Sequence, residues 1–286
     1  MKKKNIKLFA TTIVATTLIT GISANAATVF SANFDSTTVA DFGGTIGYGA
    51  QLTKTNLDAG TATGSWTVNQ AQDAPATNTA KMIQTDNGVN VTDKALRFGI
   101  STDGTMEVDT AVLTANLTST LSLSNTITVS FDYGIISGDA ANRTTYMTGL
   151  DGSGNRLFQI GFINTNANRQ MGYFNTTGNW TLIGTSGDLI GNNNTFWDAA
   201  LMKNVTVEVG ASTYDIKLAG VTLTGGSGIT FRDASASGLS NLALSANNRF
   251  TGGAFDNMVV SQQVPEPSTT ALLGLGGLAL ILRRRK

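Results

Sequence analysis

Between residues 27 and 264, apolar and polar positions alternate, and no stretch sustains a helical period. In residues 125–133, Ile127, Val129, Phe131 and Tyr133 alternate with Thr128, Ser130 and Asp132. That period of two marks a strand with one face buried. Phe158, Ile160 and Phe162 repeat it in residues 156–163, and the run Asp151-Gly152-Ser153-Gly154-Asn155 before them has the composition of a hairpin loop after a strand at 145–150. Val205, Val207 and Val209, then Tyr214, Ile216 and Leu218, then residues 221–224, predict a three-strand meander with short turns. Further strands are expected at 28–34, 65–68, 95–100, 106–113, 171–175, 228–232, 239–244 and 255–261, and one or two helical turns at 196–202. The polar segment 51–93 predicts long loops around the strand at 65–68. Many short strands, each with one apolar face to bury, imply an all-β protein built as a two-sheet β-sandwich or a closed barrel.

Composition narrows the chemistry. The chain has no Cys and no His. Disulfide frameworks, thiolate metal sites and a Ser-His-Asp triad are therefore excluded, and the domain must be held by its core. The 32 Gly and low charge content of 13% suit turn-rich β structure. The formal net charge of zero hides an uneven distribution. Lys2, Lys3, Lys4 and Lys7 crowd the start, and Arg283, Arg284, Arg285 and Lys286 crowd the end. Between them, up to Val264, stand 11 basic and 18 acidic residues, Glu266 belonging to the tail. A body about seven charges negative disfavours nucleic acid as a partner.

The two ends differ from the body. A basic start, an apolar stretch over residues 8–22 and the small-x-small site Ala24-Asn25-Ala26 predict a secretory signal peptide over 1–26, cut by signal peptidase after Ala26. The last residues run Val264-Pro265-Glu266-Pro267, then an uncharged apolar stretch to Leu282, then Arg283-Arg284-Arg285-Lys286. The prolines keep the chain extended, and the Arg cluster favours the cytoplasmic side of a membrane. As a helix the stretch 268–282 would be about 22 Å long against a hydrocarbon core of about 30 Å, which suits a temporary anchor. These three parts, in this order, resemble the PEP-CTERM sorting signal of Gram-negative bacteria. The resemblance implies that Pro265, Glu266 and Pro267 with Arg283, Arg284 and Arg285 form the sorting motif, that exosortase processes it, and that the protein reaches the cell surface or extracellular matrix after transient anchoring in the inner membrane. The chain thus divides into residues 1–26, a body over 27–263 and a tail over 264–286, the body flanked by a signal helix and a C-terminal hydrophobic helix.

The strands carrying Ile127–Tyr133, Tyr214–Leu218 and Phe255–Val260 make the body resemble concanavalin A-like (LamG-like) jelly rolls. In such folds the first and last strands can pair beside a structural calcium. That resemblance makes Asp35 and Asp256 candidate calcium ligands, the alternative being two ordinary strand-end carboxylates. The loop from Asp151 begins like a calcium loop, yet its twelfth position is Phe162, so it reads as a turn. For sugars the candidates are aromatics beside amides: Trp66, Tyr173, Trp180 and Trp197, with Trp180 and Tyr173 preferred and Trp180 expected in an exposed loop. Glycoside hydrolysis needs two carboxylates across the scissile bond. The body holds only Glu107 and Glu208, without the closely spaced Glu-x-Asp-x-Glu of jelly-roll hydrolases. The expectation is thus a non-catalytic protein with no cofactor beyond that calcium, associating with extracellular polysaccharide. The alternative is a carbohydrate-active enzyme, a glycosidase or lyase, with an Asp-based site.

Overall fold

The computed structural model describes residues 26–34, 54–69, 80–84, 94–98, 113–135, 143–164, 169–184, 202–246 and 253–263. The signal and tail helices, and the helical turn at 196–201, lie outside the described residues. In chain order the elements are β1 (Ala26–Ala32), α1 (Lys54–Ala59), β2 (Thr61–Thr63), β3 (Ser65–Val68), β4 (Ala80–Gln84), β5 (Lys94–Phe98) and β6 (Leu113–Ser122). There follow β7 (Ile127–Ile135), β8 (Arg143–Leu150), β9 (Arg156–Asn164), β10 (Arg169–Phe174), β11 (Trp180–Ile183) and β12 (Lys203–Val209). The chain closes with β13 (Thr213–Leu218), β14 (Val221–Thr222), β15 (Ile229–Thr230), β16 (Gly238–Ala246) and β17 (Gly253–Gln263).

The strands form two antiparallel sheets packed as a sandwich. The first runs β14-β13-β12-β7-β17-β1-β2, with β15 on β13, β5 on β17 and β4 on β5; the second runs β11-β10-β9-β8-β16-β6-β3. Alternation decides which side chains meet between them. In β7, Ile127, Val129, Phe131 and Tyr133 are buried, and Thr128, Ser130 and Asp132 sit on the other face. Phe162 of the second sheet stacks on Tyr133 at 3.9 Å between ring centroids and meets Phe131 and Phe255 edge-on at 6.0 and 6.1 Å. The Tyr133 hydroxyl shares a 2.7 Å hydrogen bond with Thr145 Oγ1 of β8, so this buried phenol is partnered across the interface. At the far side Phe30 of β1 meets Trp66 of β3 edge-on at 5.4 Å.

The segment 51–93 departs from the expected loops. It holds α1, β2 and β4 besides the anticipated β3. Helix α1 has six residues, too few to print a helical period, and buries Leu57. Its Asp58 accepts the Trp66 N–H at 2.9 Å, and Trp66 Nε1 donates to Thr61 Oγ1 at 2.8 Å. Trp66 is fully buried. It is a core residue, which corrects its place among the sugar-platform candidates. Of the strand expected at 106–113, residues 106–112 lie outside the described residues; Leu113 opens β6, which the sequence pattern does not anticipate beyond that residue. Its middle, Thr118 to Thr120, is exposed and polar, so alternation gave no signal there.

Gly64 joins β2 of the first sheet to β3 of the second. Its φ is +93°, and a Cβ there would lie 2.5 Å from Phe30 Cδ2 and 2.7 Å from the Asn116 carbonyl oxygen. Gly154, at φ +84°, has no such neighbour within 4 Å. Replacing Gly64 by Ala should cost roughly 2–4 kcal/mol, from left-handed strain of about 1–2 kcal/mol plus overpacking, whereas Gly154→Ala should cost only the strain. Urea unfolding midpoints of the two variants check this; equal losses would show that the corner is not tight.

Candidate functional site

On the second sheet, successive residues of β10 and β11 point to opposite faces. Phe174 pairs with Trp180 and Tyr173 with Thr181. Tyr173 turns inward, packs partly on the core and meets the Tyr214 ring at 6.5 Å. Trp180 lies on the outer face. It belongs to β11 and is half-buried, which corrects the expected exposed loop. The two preferred aromatics therefore do not share a surface. Trp180 instead joins Phe174 at 5.3 Å, and Phe174 meets Tyr146 at 5.8 Å. The indole rests over Gly161 and Gly172, which pair across β9 and β10. A Cβ on Gly172 would lie 2.4 Å from Trp180 Cζ2, and one on Gly161 would lie 2.8 Å from Cζ3. Only a glycine pair leaves room for the ring to come this close to the backbone. The Arg232 guanidinium stands over the Phe174 ring at 5.2 Å, and Leu182 of the edge strand is 47% exposed. Farther in, Thr144, Tyr146, Thr148, Gln159 and Ser245 of the same face are buried, so among the described residues the accessible aromatic surface of this face lies at the β10–β11 margin. No sequence pattern announces this cluster; only the register brings the glycines beneath the indole. Trp197 lies outside the described residues.

The first and last strands do pair. Asn33 Nδ2 donates to Asn257 Oδ1 (2.8 Å), Asn257 Nδ2 to Asp132 Oδ2 (2.9 Å) and Asn204 Nδ2 to Asp132 Oδ1 (3.1 Å). Asn257 takes φ +47° at a bulge that opposes two β17 residues to one of β7. Asp256 is buried, pairs in register with Asp132 and accepts the Phe34 N–H at 3.5 Å. Asp35 lies outside the described residues. Among the described residues no group of three or more acidic side chains stands together as a metal cage. The Asp132 carboxylate is met by the amide donors of Asn204 and Asn257.

The loop from Asp151 is a turn, as its sequence indicated. Asp151 Oδ1 accepts the N–H groups of Ser153 (2.8 Å) and Asn155 (2.9 Å). Oδ2 accepts Asn155 Nδ2 (2.9 Å) and the Ser237 N–H (3.2 Å). Burial alone would raise this carboxyl, but the donors from Asn155, Ser153 and Ser237 outweigh it and hold it at about 2. Next to it, the side chain of Arg156 hydrogen-bonds Asp233 through Nε and Nη2, each at 2.9 Å, and holds that carboxyl below the usual range. Of the two body glutamates, Glu208 accepts Lys217 Nζ at 2.5 Å on the outer face of the first sheet, and Glu107 lies outside the described residues.

Strand β17 ends at Gln263, where it pairs with Ala26. The sequence that follows is the Pro-Glu-Pro, apolar and Arg-rich tail. Residues 263–286 match the PEP-CTERM protein-sorting motif. The chain is thus an exported protein, sorted to the surface of a Gram-negative cell and processed by exosortase. No curated protein sequence matches the chain. Among solved structures, the PEP-CTERM-bearing chain is similar to the conserved carbohydrate esterase of Shiga toxin-encoding bacteriophage phi24B, with 12% identity over 84% of this chain and 100% of that one and a TM-score of 0.47. It is also similar to the binding domain of botulinum neurotoxin serotype G (7% identity, 87% of this chain, 51% of that one, TM-score 0.42) and to sheep galectin-11 in complex with glycerol (12%, 50%, 94%, 0.33).

Asp151 generates a pH prediction. Its folded pKa lies below its unfolded one, so its contribution is complete above about pH 4 and is lost as pH falls through about 2. Asp151→Asn should cost about 1–3 kcal/mol at pH 7, because buried donors lose acceptors, and should flatten the fall in stability between pH 4 and 2. Thermal melts across that window decide it; parallel curves for the two proteins would show that Asp151 carries no acid-linked stability.

Proposed function

We propose that this protein is a non-catalytic surface or matrix component whose sandwich associates with extracellular polysaccharide through the Trp180–Phe174 margin. The observation that carries the reading is the half-buried Trp180 indole, seated over the Gly161–Gly172 pair on the outer face beside Phe174. A rigid aromatic seated on backbone at a sheet margin is the kind of surface that stacks on the apolar face of a pyranose. Leu182 extends that apolar strip along the edge strand, and the half-buried Asn175 and exposed Asn179 beside it supply amide partners. The chemistry of the chain supports association over turnover: it has no His to act as a base near neutral pH, and Glu208 is engaged by Lys217. The negative body favours neutral over acidic polymers.

A glycan array probed with the mature protein, run beside a polysaccharide hydrolysis screen, tests this. Binding should fall about ten-fold or more in Trp180→Ala, the equivalent of about 1.4 kcal/mol. A Thr118→Ala control, on exposed β6, should bind as the parent does. Unchanged binding by the Trp180 variant would move the site elsewhere, and release of reducing sugar would favour the enzyme instead.

A further inference from the structure

The pairing of β1 with β17 is split by a register shift between Thr28 and Phe30. Inside the shift, Phe30 pairs with Val260 and both are fully buried. Outside it, Ala26 pairs with Gln263, Ala27 with Gln262 and Thr28 with Ser261. Ala26, Ala27, Thr28 and Gln263 are exposed, and Ser261 and Gln262 are half-buried. On the other side of β17 this outer segment is held by the Gln263 N–H to the Thr126 carbonyl at 3.2 Å and by Gln262 Nε2, which donates to the carbonyls of Ser122 and Asn125. The inner half is anchored by core burial, and the outer half, of exposed and half-buried residues, by hydrogen bonds that include its ladder pairs Ser261–Thr128 and Gln262–Ile127 with β7. Such an end opens locally while the core stays shut.

The outer half is also where the sorting tail begins. Only Val264 separates Gln263 from Pro265 in sequence, about 3.3 Å of extended chain per residue. A protease grips its substrate as an extended strand, by backbone hydrogen bonds reaching several residues to either side of the cut. A protease gripping several residues upstream of the Pro-Glu-Pro motif would need backbone groups that are bonded within the sheet.

Resting on the sorting reading, we infer that residues 261–263 form a latch: the membrane sorting protease recognises them together with Pro265–Pro267, and gains them only when they peel from β1 and β7. The latch is linked to the other end of the chain. Cleavage after Ala26 removes the strand partner of Gln263, so removal of the leader shortens the latch by one pair and eases release of the tail segment. The two processing events then act in a set order on neighbouring strands.

The test uses the full chain exported in its host, with the rate of tail loss followed by pulse–chase and the mature C-terminus defined by mass spectrometry. Because the chain has no Cys, the pair Ala27→Cys and Gln262→Cys would place its sole disulfide across the latch. Tail loss should slow at least ten-fold in the oxidised protein and recover when a reductant is added to the same cells, which separates clamping from misfolding. Six Gly/Ser residues inserted between Gln263 and Val264 should restore processing of the clamped chain, because the protease can then grip the insert. Gln262→Ala, which removes the side-chain clasp, should speed tail loss about five-fold. Oxidised clamped protein processed at the parental rate would overturn the latch, as would a clamped chain that stays uncut with the insert. A parental chain that keeps residues 264–286 at the surface would instead sink the sorting reading, and the latch with it.

Discussion

The structure depends on one juxtaposition: the last strand of the domain is inserted between its first strand and β7, in the interior of a sheet. Strand β17 is hydrogen-bonded on both sides, so the first sheet is incomplete until the end of the body has been made. Contacts joining residues this far apart carry a large loop-closure cost, and the domain recovers it only when Phe255, Met258 and Val260 reach the core. Without disulfides, that burial is what locks the ends of the chain together.

The same constraint explains the polar row formed by Asn33, Asn257, Asp132 and Asn204. An inserted strand must hold its register, since a slip of one residue would turn Phe255 and Val260 away from the core. The bulge at Asn257 and the amide-to-carboxylate bonds across it pin β17 against β1, β7 and β12 at one position along its length. Asn in the left-handed conformation serves here twice, bending the strand and donating to Asp132. Asp256, the candidate calcium ligand, is buried one residue before this bulge and accepts the Phe34 N–H.

Much of the sandwich was legible in the sequence because a strand with one buried face prints its own alternation, as in residues 127–133 and 203–218. The meander β12-β13-β14 and the hairpin of β8 and β9 follow from that pattern and from Gly/Asn turns. Legibility failed where burial does not alternate. The exposed Thr118–Thr120 stretch hid most of β6, six residues of α1 could not show a helical period, and β11 carries its Trp on the outer face in a pattern that reads as loop. The aromatic margin was invisible for a related reason. Trp180 is separated from Gly161 by strand β10 and the segments on either side of it, and nothing local to either residue records that they meet.

The proposed polysaccharide association and surface sorting make compatible demands on this architecture. The β10–β11 margin lies at one end of the second sheet, whereas both chain ends leave beside β1 and β17 in the first. Tethering through the tail would therefore engage backbone in one layer, and the proposed sugar stacking side chains in the other. The two are separated by the ring stack of Tyr133, Phe162 and Phe255, a packed core that transmits little when three polar rungs at its edge open. Ala26, Ala27 and Thr28 are themselves exposed and belong to the first sheet, so on the proposed latch their parting from β17 leaves the aromatic margin of the second sheet in place. A domain of this kind can be folded, ligand-competent and still tethered, because the segment that must yield to the protease lies outside the segment that holds the fold.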